Sequence, residues 1–218
     1  MVFKNLAMLI ETHFGGGFCW YPFPIFDNLS QFSKLLCKLS LELNGTIFRM
    51  DLVIPDGAVP AFPNVKHFTC TIGCYHNSCI LSMKCFIDAC PMLEEFKLQI
   101  CFLDKLQGFE EASELQEIDL ENEKENEETN SSEKPSHPNL RIMELVGFLG
   151  TRCDVQLALA VVSYASSLET IICDPEGKRF TLSDTTFWTD FSEEFEVAKR
   201  RACKLAKIVA PKVNVVIT

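Results

Sequence analysis

Apolar residues along the chain follow one recurring spacing, L-x-x-L-x-L with apolar substitutes, introduced by a small residue or a proline. Copies run over Leu36, Leu39 and Leu41 (then Asn44), over Val65, Phe68 and Cys70, and over Leu93, Phe96 and Leu98 (then Cys101). Two more run over Leu140, Met143 and Leu145, and over Leu168, Ile171 and Cys173. Leu115-x-x-Ile118-x-Leu120 also fits, inside an acidic region. Leu36 to Val65 is 29 residues, Val65 to Leu93 is 28, and Leu140 to Leu168 is 28. Alternation within each copy predicts a short strand that buries one face. The repeat distance leaves room for a helical return between strands, so consecutive strands are predicted to pair in parallel.

Helical segments are expected between copies. Residues 79–89 read as a helix that ends at Cys90-Pro91, because proline disfavours helix in the residue before it. Residues 155–165 are almost uncharged and read as a buried helix with Asp154 as its N-cap. Near the C-terminus, Asp190-x-x-Glu193 is close to a capping box. Phe195, Ala198, Ala202, Leu205 and Val209 then fall on one helical stripe. Glu193, Glu194 and Glu196 lie at the start and Lys204 and Lys207 toward the end, matching the helix dipole. Pro211 stops this helix and Val213 to Ile217 reads as a final strand. Together these predict an α/β leucine-rich-repeat solenoid with a parallel sheet, five or six irregular repeats, and a capping C-terminal helix and strand. Residues 1–30 are expected to be an irregular segment, since Gly15-Gly16-Gly17, Pro22 and Pro24 break any long helix. Residues 31–218 form the repeat domain.

Charge changes the picture in one place. The net charge is −10, and residues 110–133 hold eleven acids against one base, which accounts for all of it. The remaining chain is balanced, so neither nucleic acid nor an anionic membrane surface is an expected partner. Residues 121–136 contain no aliphatic or aromatic side chain and read as an acidic disordered loop interrupting the repeats. Eleven scattered cysteines lack a disulfide framework, so reduced thiols and a cytoplasmic or nuclear location are expected. Leu6 to Ile10 is too short for a signal-peptide core, and no run reaches the roughly 20 apolar residues of a membrane span.

Candidate chemistry is sparse. His67, Cys70, Cys74, His76 and Cys79 offer soft ligands within thirteen residues, yet their spacing matches no paired zinc knuckle and Cys70 takes an inward strand position. Gly15-Gly16-Gly17 lacks the Gly-Lys-Ser/Thr of a phosphate loop. Nothing orders a Cys–His nucleophile pair. No enzyme activity, cofactor or metal is expected, and a Cys/His metal protein is the least favoured alternative.

What remains is the strand face turned away from the apolar positions. The alternation puts Lys38, Ser40 and Glu42 there, followed by His67, Thr69 and Thr71, then Glu95, Lys97 and Gln99. Ile142, Glu144 and Val146, and finally Thr170, Ile172 and Asp174, complete the set. Neighbouring strands lie about 4.8 Å apart, so these fifteen residues are expected to make one mixed surface with an apolar strip. A concave sheet face of that kind suits a target protein.

Four blocks carry a family resemblance: Phe62-Pro-Asn-Val-Lys-His-Phe-Thr-Cys, Ala89-Cys-Pro-Met-Leu-Glu-Glu-Phe-Lys-Leu, His137-Pro-Asn-Leu-Arg-Ile-Met-Glu-Leu-Val-Gly-Phe and Ser167-Leu-Glu-Thr-Ile-Ile-Cys-Asp-Pro. With Thr151-Arg-Cys-Asp-Val-Gln-Leu-Ala between the last two, residues 60–218 resemble plant F-box/FBD/LRR-repeat proteins. The resemblance implies substrate selection for a cullin-based ubiquitin ligase, with an F-box binding a Skp1-type adaptor and the repeats binding the target. Residues 1–30 carry no F-box-like run, so an adaptor is expected only if an F-box is supplied elsewhere. The alternative is a truncated repeat scaffold with no ligase role.

Overall fold

Each copy of the leucine pattern that the structure describes becomes a strand. The computed structural model describes residues 11–14, 30–44, 59–74, 77–102, 137–176 and 192–218. Among them, seven strands are formed: β1 (Glu11–Phe14), β2 (Lys38–Asn44), β3 (His67–Cys74), β4 (Glu95–Phe102), β5 (Ile142–Val146), β6 (Thr170–Asp174) and β7 (Asn214–Ile217). They make one open parallel sheet in sequence order. Parallel pairing needs a long return between neighbours, and the repeat length supplies it.

The register is unbroken. One row runs Leu39, Phe68, Phe96, Met143 and Ile171, and the next runs Leu41, Cys70, Leu98, Leu145 and Cys173. All ten side chains are buried. Each large one removed from water contributes about 1.5–3 kcal/mol, which is why the pattern dictates the fold. A second buried column lies three residues before each copy: Ser33, Phe62, Cys90, His137 and Ala165. There the chain turns into the strand, as in the bonds from Val65 N–H to Phe62 O, Leu93 N–H to Cys90 O and Leu168 N–H to Ala165 O. Adjacent turns are stitched together by asparagines. Asn64 Nδ2 donates to Lys34 O at 2.6 Å, and Asn139 Nδ2 donates to Pro91 O at 3.4 Å, the matching position in a later repeat.

Three α-helices among the described residues accompany the sheet: α1 (Lys84–Asp88), α2 (Arg152–Tyr164) and α3 (Ser192–Val209). The segment expected as one helix over 79–89 is split between the end of a 3-10 helix, Asn77–Met83, and the short α1 that follows it. Ala198, Ala202, Leu205 and Val209 of α3 are buried, and Phe195 is half-buried. The stripe read from the sequence therefore faces the core, where α3 closes the last rung beside β7.

At the junction of β5 and α2 the expected cap is corrected. Thr151, not Asp154, is the N-cap, and Asp154 is the third helical residue of a capping box. Asp154 N–H donates to Thr151 Oγ1 at 3.3 Å. Asp154 Oδ2 accepts from Leu149 N–H at 3.1 Å and Thr151 N–H at 3.0 Å. Its Oδ1 is buried without a hydrogen-bond partner. Burial pushes this carboxyl up to about 6, against the lowering effect of the N–H groups it accepts from. Two glycines make the turn possible. Gly147 has φ +81°, and a Cβ there would come within 2.4 Å of Ile100 O. Gly150 has φ +67°, and Arg201 of α3 fills the space beside it while donating from Nη1 to Leu149 O at 3.2 Å.

The segment read as irregular, 1–30, contributes β1, which pairs with β2 in register. The acidic run 110–133, the loop 121–136, the copy at Leu115–Leu120, Gly15–Gly17 and the Asp190 cap lie outside the described residues.

Candidate functional site

Strand alternation places the other half of each strand on the opposite face of the sheet. The rows there are fixed by the register. The first runs Glu11, Lys38, His67, Glu95, Ile142, Thr170 and Asn214. The second runs His13, Ser40, Thr69, Lys97, Glu144, Ile172 and Val216. The third runs Glu42, Thr71, Gln99, Val146 and Asp174. All fifteen positions singled out from the sequence fall in these rows. Fourteen are exposed or half-buried, and only Val146, at 7% exposure, is buried.

Cross-strand partners order the polar half. Lys97 Nζ donates to Glu144 Oε1 at 2.7 Å, and His67 Nδ1 pairs with Glu95 Oε2 at 2.9 Å. His13 Nδ1 and Ser40 Oγ are hydrogen-bonded at 2.8 Å, and Lys38 lies 3.9 Å from Glu11. Pairs this exposed contribute at most about 1 kcal/mol each, so their effect is to set side-chain positions rather than to hold the fold. Along the strand entry a second ladder alternates in sign. Lys66 Nζ meets Glu94 Oε1 at 2.7 Å, and Arg141 lies 3.9 Å from Glu169. The hydrogen bond and charge of Lys66 hold the Glu94 carboxyl below its usual range. Over β5–β7 the face changes character, with Ile142 and Ile172 half-buried and Val216 exposed.

Sequence reasoning missed both ends of this face. Glu11 and His13 extend it on β1, while Asn214 and Val216 extend it on β7. A signal existed for β1: Leu9-x-x-Thr12-x-Phe14 stands 27 residues before the Leu36 copy, but a polar threonine holds the middle apolar position.

The chemical alternatives separate geometrically. His67 faces outward and Cys70 is buried in the core row, so these two members of the Cys/His run lie on opposite faces of β3. Side chains of Cys74, His76 and Cys79 lie outside the described residues. No cluster of three or more His, Cys, Asp or Glu side chains is arranged to hold a metal among the described residues. Burial pushes the Cys90 and Cys173 thiols up to about 12, so neither offers a thiolate at neutral pH. His137 lies 3.7 Å from Asp88 with its ring 5.3 Å from that of Tyr164. It is 1% exposed and occupies the buried turn column, so it packs rather than meets a substrate. Positive charge is locally concentrated on α3, where Arg200, Lys204 and Lys207 are exposed with Lys212 just beyond. The balanced residue count did not reveal that strip. No described helix is long and apolar enough to cross a membrane.

In-register parallel rungs, a helical return and a continuous outward face define a leucine-rich-repeat protein. Residues 54–217 match the family model described as At1g61320/AtMIF1, LRR domain, and the chain belongs to that family of plant leucine-rich-repeat proteins. No curated protein and no solved structure matches the chain. Membership points to a protein-interaction module.

Proposed function

We propose that the outward sheet face binds a target protein, with the fifteen residues from Lys38 to Asp174 as its contact surface and Glu11, His13, Asn214 and Val216 extending it. The observation that carries this is the unbroken register. It aligns polar partners and partly exposed aliphatic side chains on one sheet of seven strands, the mixture that recognition surfaces use for orientation and for desolvation. Bond chemistry plays no part in this reading, and the protein acts in the cytoplasm or nucleus.

We further propose that recognition serves ubiquitin transfer, the repeats selecting the substrate while an F-box supplied elsewhere holds the Skp1-type adaptor. Support comes from the resemblance carried by the Pro-Asn-Val/Leu blocks and the Thr151–Ala158 segment. Photo-crosslinking in plant cells tests both levels. A crosslinker at Thr170, on the outward face, should yield defined protein adducts that one at Ser163, exposed on α2, does not. Equal adducts from both positions would defeat the face reading. If the adducts at Thr170 are unchanged in abundance when cullin-based ligases are blocked, the ligase role fails and a repeat scaffold is the better description.

A further inference from the structure

The outward face is not neutral ground. Its strand positions carry five carboxylates, Glu11, Glu42, Glu95, Glu144 and Asp174, against two lysines, Lys38 and Lys97. The imbalance is sharpest around the aliphatic patch. Ile142 stands beside Glu95 in the first row, and Ile172 stands between Glu144 and Val216 in the second. Asp174 stands beside Val146 in the third. Lys97 is committed to Glu144 at 2.7 Å, which leaves Glu95 and Asp174 at the borders of the patch. Among the described residues, Glu95 is paired with the His67 imidazole, and Asp174 Oδ1 accepts from Glu176 N–H. Val216, at 38% exposure, keeps the patch open toward the edge strand.

We infer that this face, over β4–β7, takes a protein segment in which a large apolar side chain is flanked by lysine or arginine. The inference rests on the reading of the face as a recognition surface and names its partner class. An apolar anchor covers Ile142, Ile172 and Val216 and supplies the desolvation. Cationic groups to either side meet Glu95 and Asp174, where their charge is complementary. Acidic segments and nucleic acid meet like charge on the same ground, which costs association and slows encounter. Arginine suits the site best, because its planar fork pairs with a carboxylate through two hydrogen bonds.

A random dodecapeptide display library, selected on the full chain, tests this. Enriched peptides are then measured by fluorescence anisotropy against the wild type and the variants Glu95→Lys, Glu95→Gln, Asp174→Lys and Ile172→Asp. Circular dichroism confirms that each variant keeps its fold; the exposed Glu95→Gln removes one charge with little change in size. The expected result is enrichment of peptides pairing Lys or Arg with Leu, Phe or Trp. Affinity should fall about tenfold or more in both charge reversals and in Ile172→Asp, and by a smaller factor in Glu95→Gln. Neutral or acidic peptides that lose binding in Ile172→Asp would overturn the partner class while leaving the recognition face standing. Peptides indifferent to all four substitutions would overturn both, and a selection that enriches nothing would overturn the partner class.

Discussion

Asp154 gives the sharpest physical test of the structure. Its carboxyl is fully buried, with Oδ2 held by two backbone N–H groups and Oδ1 without a hydrogen-bond partner. Protonation therefore belongs on Oδ1, where it costs none of the capping bonds. The folded-state value is about 6 against an ordinary 3.8, a difference of about 2 units and hence about 3 kcal/mol at 1.36 kcal/mol per unit. Above pH 6 both the folded and unfolded states are ionised, and the folded state carries the whole desolvation cost. As pH falls from about 6 to about 4, only the folded state takes up a proton, so this group stabilises the fold progressively. Below pH 4 both states are protonated and the cost is gone. The substitution Asp154→Asn keeps a carbonyl for the N–H groups of Leu149 and Thr151 and puts an amide where the proton would sit, so it imitates the protonated acid at every pH. Urea unfolding of wild type and variant across pH 4–8 reads the difference between them, in which every other titrating group cancels. The gap should shift by about 3 kcal/mol in favour of the wild type on going from pH 7.5 to pH 4. Parallel pH profiles would refute the reasoning.

Two further substitutions probe the rungs and the junction. Leu98→Ala empties a fully buried row position and should cost about 2–5 kcal/mol, whereas Gln99→Ala on the outward face should stay within about 0.5 kcal/mol; the reverse order in urea unfolding would mean the register is wrong. Gly147→Ala forces a left-handed residue to carry a Cβ 2.4 Å from Ile100 O and should cost more than about 2 kcal/mol, read as a lowered Tm; an unchanged Tm would show that the β5–α2 turn relaxes freely.

Much of this fold was legible because the leucine pattern is both local and repeated. Leu36, Val65, Leu93, Leu140 and Leu168 each announce a strand two residues on, and the alternation that buries Leu98 necessarily turns Lys97 and Gln99 the other way. The candidate face was therefore readable wherever a strand was. It was lost at β1, where Thr12 interrupts the apolar positions and the parallel pairing with β2 decides the conformation. The cap of α2 was misassigned because Thr151 and Asp154 are both capping residues; only the bond from Asp154 N–H to Thr151 Oγ1 separates their roles. Over 79–89 the apolar spacing tolerated either kind of helix, and the 3-10 form precedes α1. The turn column through Phe62, Cys90, His137 and Ala165 has no common chemistry, so its burial could not be read from residue type. Partner chemistry was the least legible, since it emerges only when side chains distant in sequence, such as Glu95 and Ile142, are set side by side.

The match of Glu95 to Ile142 spans 47 positions of chain, yet these strands align as faithfully as β3 and β4, whose partners are 28 apart. Spatial adjacency is thus decoupled from contour length at this step. Doubling such a connection adds only about 0.6 kcal/mol of closure entropy. A reporter or sensor cassette grafted between β4 and β5 is accordingly expected to leave the ribbons on either side aligned.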